Sequence, residues 1–165
     1  MADQQPDPTE RFVYLVQHGQ AEPKEKNPER PLTAEGRETV ERVAAWAVRA
    51  GIVVGQVRHS GKLRAEQTAE IFAEKLKPTE SITSYPGLGP NDDVQPVADA
   101  LPDCPCSVML VAHLPFLSRL AGLLLTGDAE RQPVRFRQGG LVGLVREEGR
   151  WTVACVVPPE LVPEA

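Results

Sequence analysis

Phe12-Val-Tyr-Leu-Val-Gln-His-Gly-Gln-Ala21 is a short apolar run that ends in Gln17-His18-Gly19 and then turns polar. Its β-branched and aromatic residues read as a buried strand that delivers one histidine to a loop. Gly19 breaks the run and reads as a point where the backbone takes torsions closed to other residues. His18 then stands at the carboxyl end of a strand, the edge at which open α/β sheets bind ligands. One histidine taken alone is more often a cap that satisfies a nearby carbonyl. A second stretch with the same layout changes the odds: Ser107-Val-Met-Leu-Val-Ala112 is another apolar run, and it ends in His113-Leu-Pro115.

Working outward, 165 residues with 41% hydrophobic and 25% charged side chains predict one compact domain with a sizeable core. Residues 1 to 10 read as a disordered lead, residues 11 to 157 as the single domain and residues 158 to 165 as a tail. A formal net charge of -5 argues against a general nucleic-acid or anionic-membrane surface, so any positive potential is local. No apolar run approaches the length of a membrane span, which predicts a soluble, cytoplasmic protein. Cys104, Cys106 and Cys155 make an odd set, and Cys-Pro-Cys without a further ligand close by is a poor metal site. Neither a metal nor another cofactor is expected.

Between the two histidine runs the pattern alternates. Gln20 to Pro31 is a polar, proline-bearing loop. Thr33 reads as the N-cap of a helix over 34 to 50, with Glu35 in the first turn and an apolar stripe of Val40, Val43, Ala44, Ala47 and Val48. Ile52 to Arg58 reads as a second strand. His59-Ser-Gly-Lys-Leu-Arg-Ala-Glu-Gln-Thr-Ala69 opens another helix, capped by Ser60 or Gly61, that buries Ala65, Ala69, Phe72 and Leu76. Lys62 and Arg64 in its first turn work against the helix dipole and make most sense facing an anion, although solvated cations need no partner. Ser81 to Tyr85 reads as a short strand and a brief helix runs through Leu101. Phe116 to Leu125 is a well-buried helix behind Pro115, and Gly140 to Arg146 with Trp151 to Val157 form a closing hairpin.

Strands alternating with helices predict a three-layer α/β/α fold with a mainly parallel mixed sheet. Two strands ending in histidine bring both imidazoles to one crevice, with Arg64 beside them at a helix start. Two histidines and an arginine with no metal-binding carboxylate point to phosphoryl transfer: one imidazole attacks phosphorus and the cationic groups stabilise the equatorial oxygens.

Leu15-Val-Gln-His-Gly-Gln-Ala21, Arg30-Pro-Leu-Thr-Ala-Glu-Gly-Arg37, Ser60-Gly-Lys-Leu-Arg-Ala-Glu-Gln-Thr-Ala69 and Val111-Ala-His-Leu-Pro115 resemble, in order and spacing, the histidine phosphatase superfamily. The resemblance implies its phosphoglycerate-mutase-like fold and is closest to the short SixA-type protein-histidine phosphatases. It implies that His18 is the nucleophile that becomes transiently phosphorylated, that Arg64 clamps phosphate, and that His113 is the second pocket histidine and a donor to the phosphoryl group. His59 is given a structural or rim role.

One departure stands out: the family motif is Arg-His-Gly, and this chain has Gln17-His18-Gly19. Glutamine keeps a donor amide for phosphate but loses the charge and the bidentate fork. Arg30, Lys62 or Arg37 are the candidates to supply that charge. Asp92, Asp93 and Glu22 are the carboxylates closest to the expected rim, with turn formation the plainer role for the first two. The expected function is a metal-independent phosphatase acting through phospho-His18 on a phosphohistidine-bearing signalling or phosphotransfer protein. The alternatives are an impaired pseudophosphatase that binds phosphate or a phosphoprotein, a phosphatase for small phosphorylated substrates and, third, a mutase.

Overall fold

The computed structural model describes residues 10–164. The expected disordered lead therefore lies, apart from Glu10, outside the described residues. Six strands and four α-helices follow one another: β1 (Phe12–Gln17), α1 (Ala34–Arg49), β2 (Gln56–His59), α2 (Leu63–Leu76), β3 (Ser81–Ser84), α3 (Gln95–Ala100), β4 (Val108–Ala112), α4 (Phe116–Thr126), β5 (Leu141–Glu147) and β6 (Arg150–Val157). The strands form one sheet in the order β3-β2-β4-β1-β5-β6. β3, β2, β4 and β1 run parallel, and the β5–β6 hairpin adds antiparallel to β1. The expected mixed, mainly parallel sheet is thus present.

Strand alternation splits the core into two layers. Val13 and Leu15 of β1, with Val108, Leu110 and Ala112 of β4, pack with Val97 of α3 and with Phe116, Leu117 and Leu120 of α4. Tyr14, Val16, Met109 and Val111 face the other way, against Val40, Val43 and Ala44 of α1 and Ala65, Ala69 and Phe72 of α2. With apolar side chains on both faces, the central strands read as continuous hydrophobic runs in the sequence.

Local signals account for several element ends. Thr33 caps α1 through Oγ1, which accepts from Gly36 N at 2.9 Å. Glu148 (φ 50) and Gly149 (φ 76) are both left-handed between Glu147 and Arg150, as a two-residue hairpin turn of the twist-matching kind requires.

Four expectations need correction. The second strand forms only over Gln56–His59, because Ile52 N turns back to Ala47 O at 3.0 Å and Val53 is exposed. Val48 is 47% exposed and lies off the α1 stripe. The N-cap of α2 is Lys62, without a side-chain cap bond, rather than Ser60 or Gly61. The segment expected as a tail is packed: Pro159–Leu161 form a 3₁₀ turn and Val162 is buried in the α1 and α2 layer. Cys104, Cys106 and Cys155 are free thiols. Among the described residues no helix is long and apolar enough to cross a membrane.

Candidate active site

Three adjacent strands, β2, β4 and β1, deliver side chains to one edge of the sheet. β1 ends at Gln17 and passes to His18, whose backbone N–H donates to Ala112 O, the last residue of β4, at 3.1 Å. His113 follows at once, so the pairing of β1 with β4 sets the two histidines side by side. Their ring centroids are 5.0 Å apart and their planes are tilted by 52°. β2 ends at His59 beside Val111, which places Ser60 at the same edge. Ser60 Oγ lies 2.6 Å from His113 Nε2.

Arg64 reaches the cleft from the first turn of α2, and its Nε donates to His18 Nε2 at 3.4 Å. His18 Nδ1 is 2.7 Å from Gly19 O. A carbonyl accepts only, so Nδ1 carries the proton and Nε2 keeps its lone pair. Burial pushes the His18 pKa down to about 4; the Gly19 carbonyl bond opposes this, and the Arg64 and Arg30 charges add to it. His113, 2% exposed, is pushed down to about 3 by burial, followed by His18, Arg64, Lys62 and Arg30. Both rings are therefore neutral near pH 7.

The block that carries the strongest family likeness also builds the cleft. Thr68 Oγ1 accepts from Gly19 N at 3.0 Å and donates to Arg64 O at 2.8 Å, while Gln67 Oε1 accepts from Leu32 N at 2.8 Å. Arg64, Gln67 and Thr68 share a helix face at i, i+3 and i+4 spacing, so one face of α2 holds the loops after β1 and before α1. Gly19 serves this contact through its size, because its φ is not positive. A Cβ there would meet Val40 Cγ2 at 2.7 Å and Gly36 O at 3.2 Å. Close approach, rather than an unusual torsion, is why glycine follows His18.

The structure thus brings together His18, Arg64 and His113. Gln17 is buried at the end of β1, with its backbone carbonyl accepting from Gly139 N at 2.9 Å. Of the three candidates for the missing charge, Arg30 acts on His18, Arg64 and His113, Lys62 acts on His113, and Arg37 acts on none of them. Arg30 holds a left-handed backbone (φ 53), and its Nε donates to Glu22 O at 3.1 Å. Burial, and then Arg30, lower the Arg64 pKa, so the two guanidiniums repel across the cleft. Among the described residues neither is ion-paired with a carboxylate.

The candidate carboxylates are engaged elsewhere. Asp92 Oδ2 accepts from Gly89 N at 2.7 Å and Asp93 Oδ1 from Gln95 N at 3.0 Å, both as turn residues, while Glu22 pairs with Lys26 at 3.5 Å. Among the described residues, the charged groups that act on either pocket histidine are cations and, for His113, the His18 ring, with no carboxylate among them. His59 is buried and its Nδ1 accepts from Gly61 N at 3.1 Å, a structural turn contact. Among the described residues no three His, Cys, Asp or Glu side chains converge as a metal site would need. A cavity of about 560 Å³ lies at the opposite, amino-terminal ends of the strands, where Phe12, Gly55 and Ser107 are, and holds none of these residues.

Sequence reasoning missed Ser60 as a partner of His113 and Thr68 as the link between Gly19 and α2. Both lie inside the block Ser60 to Ala69, and a helix face read at i, i+4 from Arg64 would have singled out Thr68.

The model of the histidine phosphatase superfamily (branch 1) matches residues 13–89. Phosphohistidine phosphatase SixA of Escherichia coli (strain K12) is 28% identical over 141 residues, covering 82% of this chain and 86% of that protein. The structure of a protein histidine phosphatase SixA complexed with tungstate superposes with a TM-score of 0.80 at 28% identity, covering 90% of this chain and 97% of that one. The putative phosphohistidine phosphatase SixA from Agrobacterium tumefaciens shares the fold, with a TM-score of 0.74 at 22% identity over 90% of this chain and 98% of that one. The family match and the two relatives at 28% identity support a phosphatase hydrolase. The chain is thus similar to the histidine phosphatase superfamily over residues 13–89, and its fold is SixA-like and phosphoglycerate-mutase-like.

Proposed function

We propose that this protein is a metal-independent phosphatase that works through a phosphohistidine formed on His18, and that its substrate is phosphohistidine carried by a signalling or phosphotransfer protein. The observation that carries this reading is a cleft with two neutral imidazoles and two guanidiniums that have no carboxylate partner among the described residues, in a chain of net charge -5. Such a field suits a tetrahedral oxyanion, and the SixA relative complexed with tungstate holds one.

In the proposed reaction His18 Nε2 attacks phosphorus while the bond from phosphorus to the leaving group breaks. The Nδ1–H bond to Gly19 O steadies the ring as it gains positive character. Arg64 and Arg30 stabilise the equatorial oxygens, and His113 donates to one of them. Water then attacks the phosphoenzyme, releasing phosphate and restoring neutral His18.

Among the described residues no carboxylate acts on the histidines, and this bears on the substrate. An alkoxide leaving group needs a proton from a positioned acid, whereas an imidazole protonated by solvent departs without one. Phosphohistidine is therefore favoured over small phosphomonoesters. Incubation with a phosphohistidine protein is expected to release inorganic phosphate, and His18→Ala to abolish the release. Undiminished turnover in that variant would defeat the proposal.

Gln17 favours a second reading, in which the chain binds phosphoprotein but turns it over poorly. Negligible wild-type turnover with retained binding, restored by Gln17→Arg, would support that reading over the first.

A further inference from the structure

We infer that Ser60 is a positioning residue that sets the tautomer of His113, leaving the Nδ1–H of that ring as the donor held for a phosphoryl oxygen. The inference rests on the anion-binding reading of the cleft and deepens it by assigning which nitrogen of His113 meets the anion, and why.

Ser60 Oγ lies 2.6 Å from His113 Nε2 and also accepts from the Lys62 backbone N–H at 3.3 Å. A hydroxyl has one proton to give. With Lys62 N–H occupying a lone pair, placing that proton on Nε2 satisfies the hydroxyl as donor and as acceptor. Nε2 is then an acceptor, and the imidazole proton sits on Nδ1.

His113 Nδ1 is buried and has no hydrogen-bond partner among the described residues, in a residue only 2% exposed. Leaving a buried donor unpaired costs about 1–3 kcal/mol, and native structures rarely do so without a reason. The groups whose charges act on this ring are His18, Arg64, Lys62 and Arg30, none of them an anion. A tetrahedral anion supplies the missing acceptor and neutralises the surrounding field together.

The two pocket rings then carry the same tautomer to opposite ends. On His18 the Nδ1 proton is used on Gly19 O, which frees Nε2 to attack. On His113 the Nε2 lone pair is used on Ser60, which frees Nδ1–H to donate. The strand pairing fixes this arrangement, since His59 of β2 sits in register with Val111 of β4 and each strand hands its next residues to the cleft.

The test is ¹⁵N NMR of histidine-labelled protein, which distinguishes Nδ1–H from Nε2–H rings, followed by titration with inorganic phosphate. His113 is expected as the Nδ1–H tautomer in anion-free protein, with that proton moving downfield when phosphate binds. Ser60→Ala is expected to mix the tautomers and weaken phosphate binding roughly five- to tenfold, and Ser60→Thr to retain both properties. An Nε2–H tautomer in the wild type, or identical tautomer and affinity in Ser60→Ala, overturns the inference. Failure of the wild type to bind phosphate indicts the anion reading instead, while the tautomer of the anion-free wild type still decides the role of Ser60.

Discussion

At position 17 a neutral amide stands where the family motif has arginine, and Arg30 brings a second guanidinium charge, besides that of Arg64, to bear on both histidines. Converting one charge-assisted contact to a neutral one costs about 1–3 kcal/mol, or roughly ten- to a hundredfold in rate. Gln17→Arg is therefore expected to raise kcat/KM by about that factor, and Arg30→Gln to lower it by a similar one. If both side chains serve one anion, as proposed, the two changes should not add: Arg30→Gln is expected to cost less in the Gln17→Arg background than in the wild type, leaving the double variant above wild type, and a steady-state double-mutant cycle checks it. Strictly additive effects would place the two residues in separate roles. His18, Arg64 and His113 were legible as motifs at strand and helix ends. Ser60 and Thr68 were not, because the first finds its partner 53 residues away and the second 49, and no local pattern encodes such a meeting.

Elements show the same division. The α1 cap was readable because Thr33 and its acidic first turn are local chemistry, and Thr33→Ala is expected to cost about 1 kcal/mol by denaturant titration. The shortness of β2 was not readable, since Ile52-Val-Val54 has strand composition but the chain there folds back onto the end of α1. Nor was the size constraint at Gly19, which comes from the α1 residues Gly36 and Val40 packing on the loop. Gly19→Ala is expected to destabilise by roughly 1–3 kcal/mol through overpacking and to displace His18. Loss of turnover with unchanged stability would instead point to a local effect on His18 alone.

Across the whole molecule the alternation of elements predicted the layers, whereas the strand order, with β1 held between β4 and β5, depends on tertiary packing that no segment announces. The buried histidines give the protein a pH dependence with a definite sign. Their pKa values, about 4 and about 3, lie below the ordinary 6.5, so the unfolded chain binds protons that the folded one refuses. Their contribution is complete above pH 6.5 and is lost as pH falls from there toward 3, on the order of 3 kcal/mol for His18 alone. Denaturant midpoints measured between pH 7.5 and 4 are expected to fall, and to fall less in His18→Asn. A flat profile in the wild type would contradict the neutral, buried state of these rings.

The proposed chemistry stands or falls on where phosphorus resides during turnover. In a rapid-quench experiment with a phosphohistidine protein as substrate, stopped at high pH and read by peptide mass spectrometry, phosphate is predicted on His18 within the first turnover. It should decay as inorganic phosphate forms and be missing from His18→Asn. Phosphate released at the full rate while His18 stays unmodified, or found on another residue, would contradict the account.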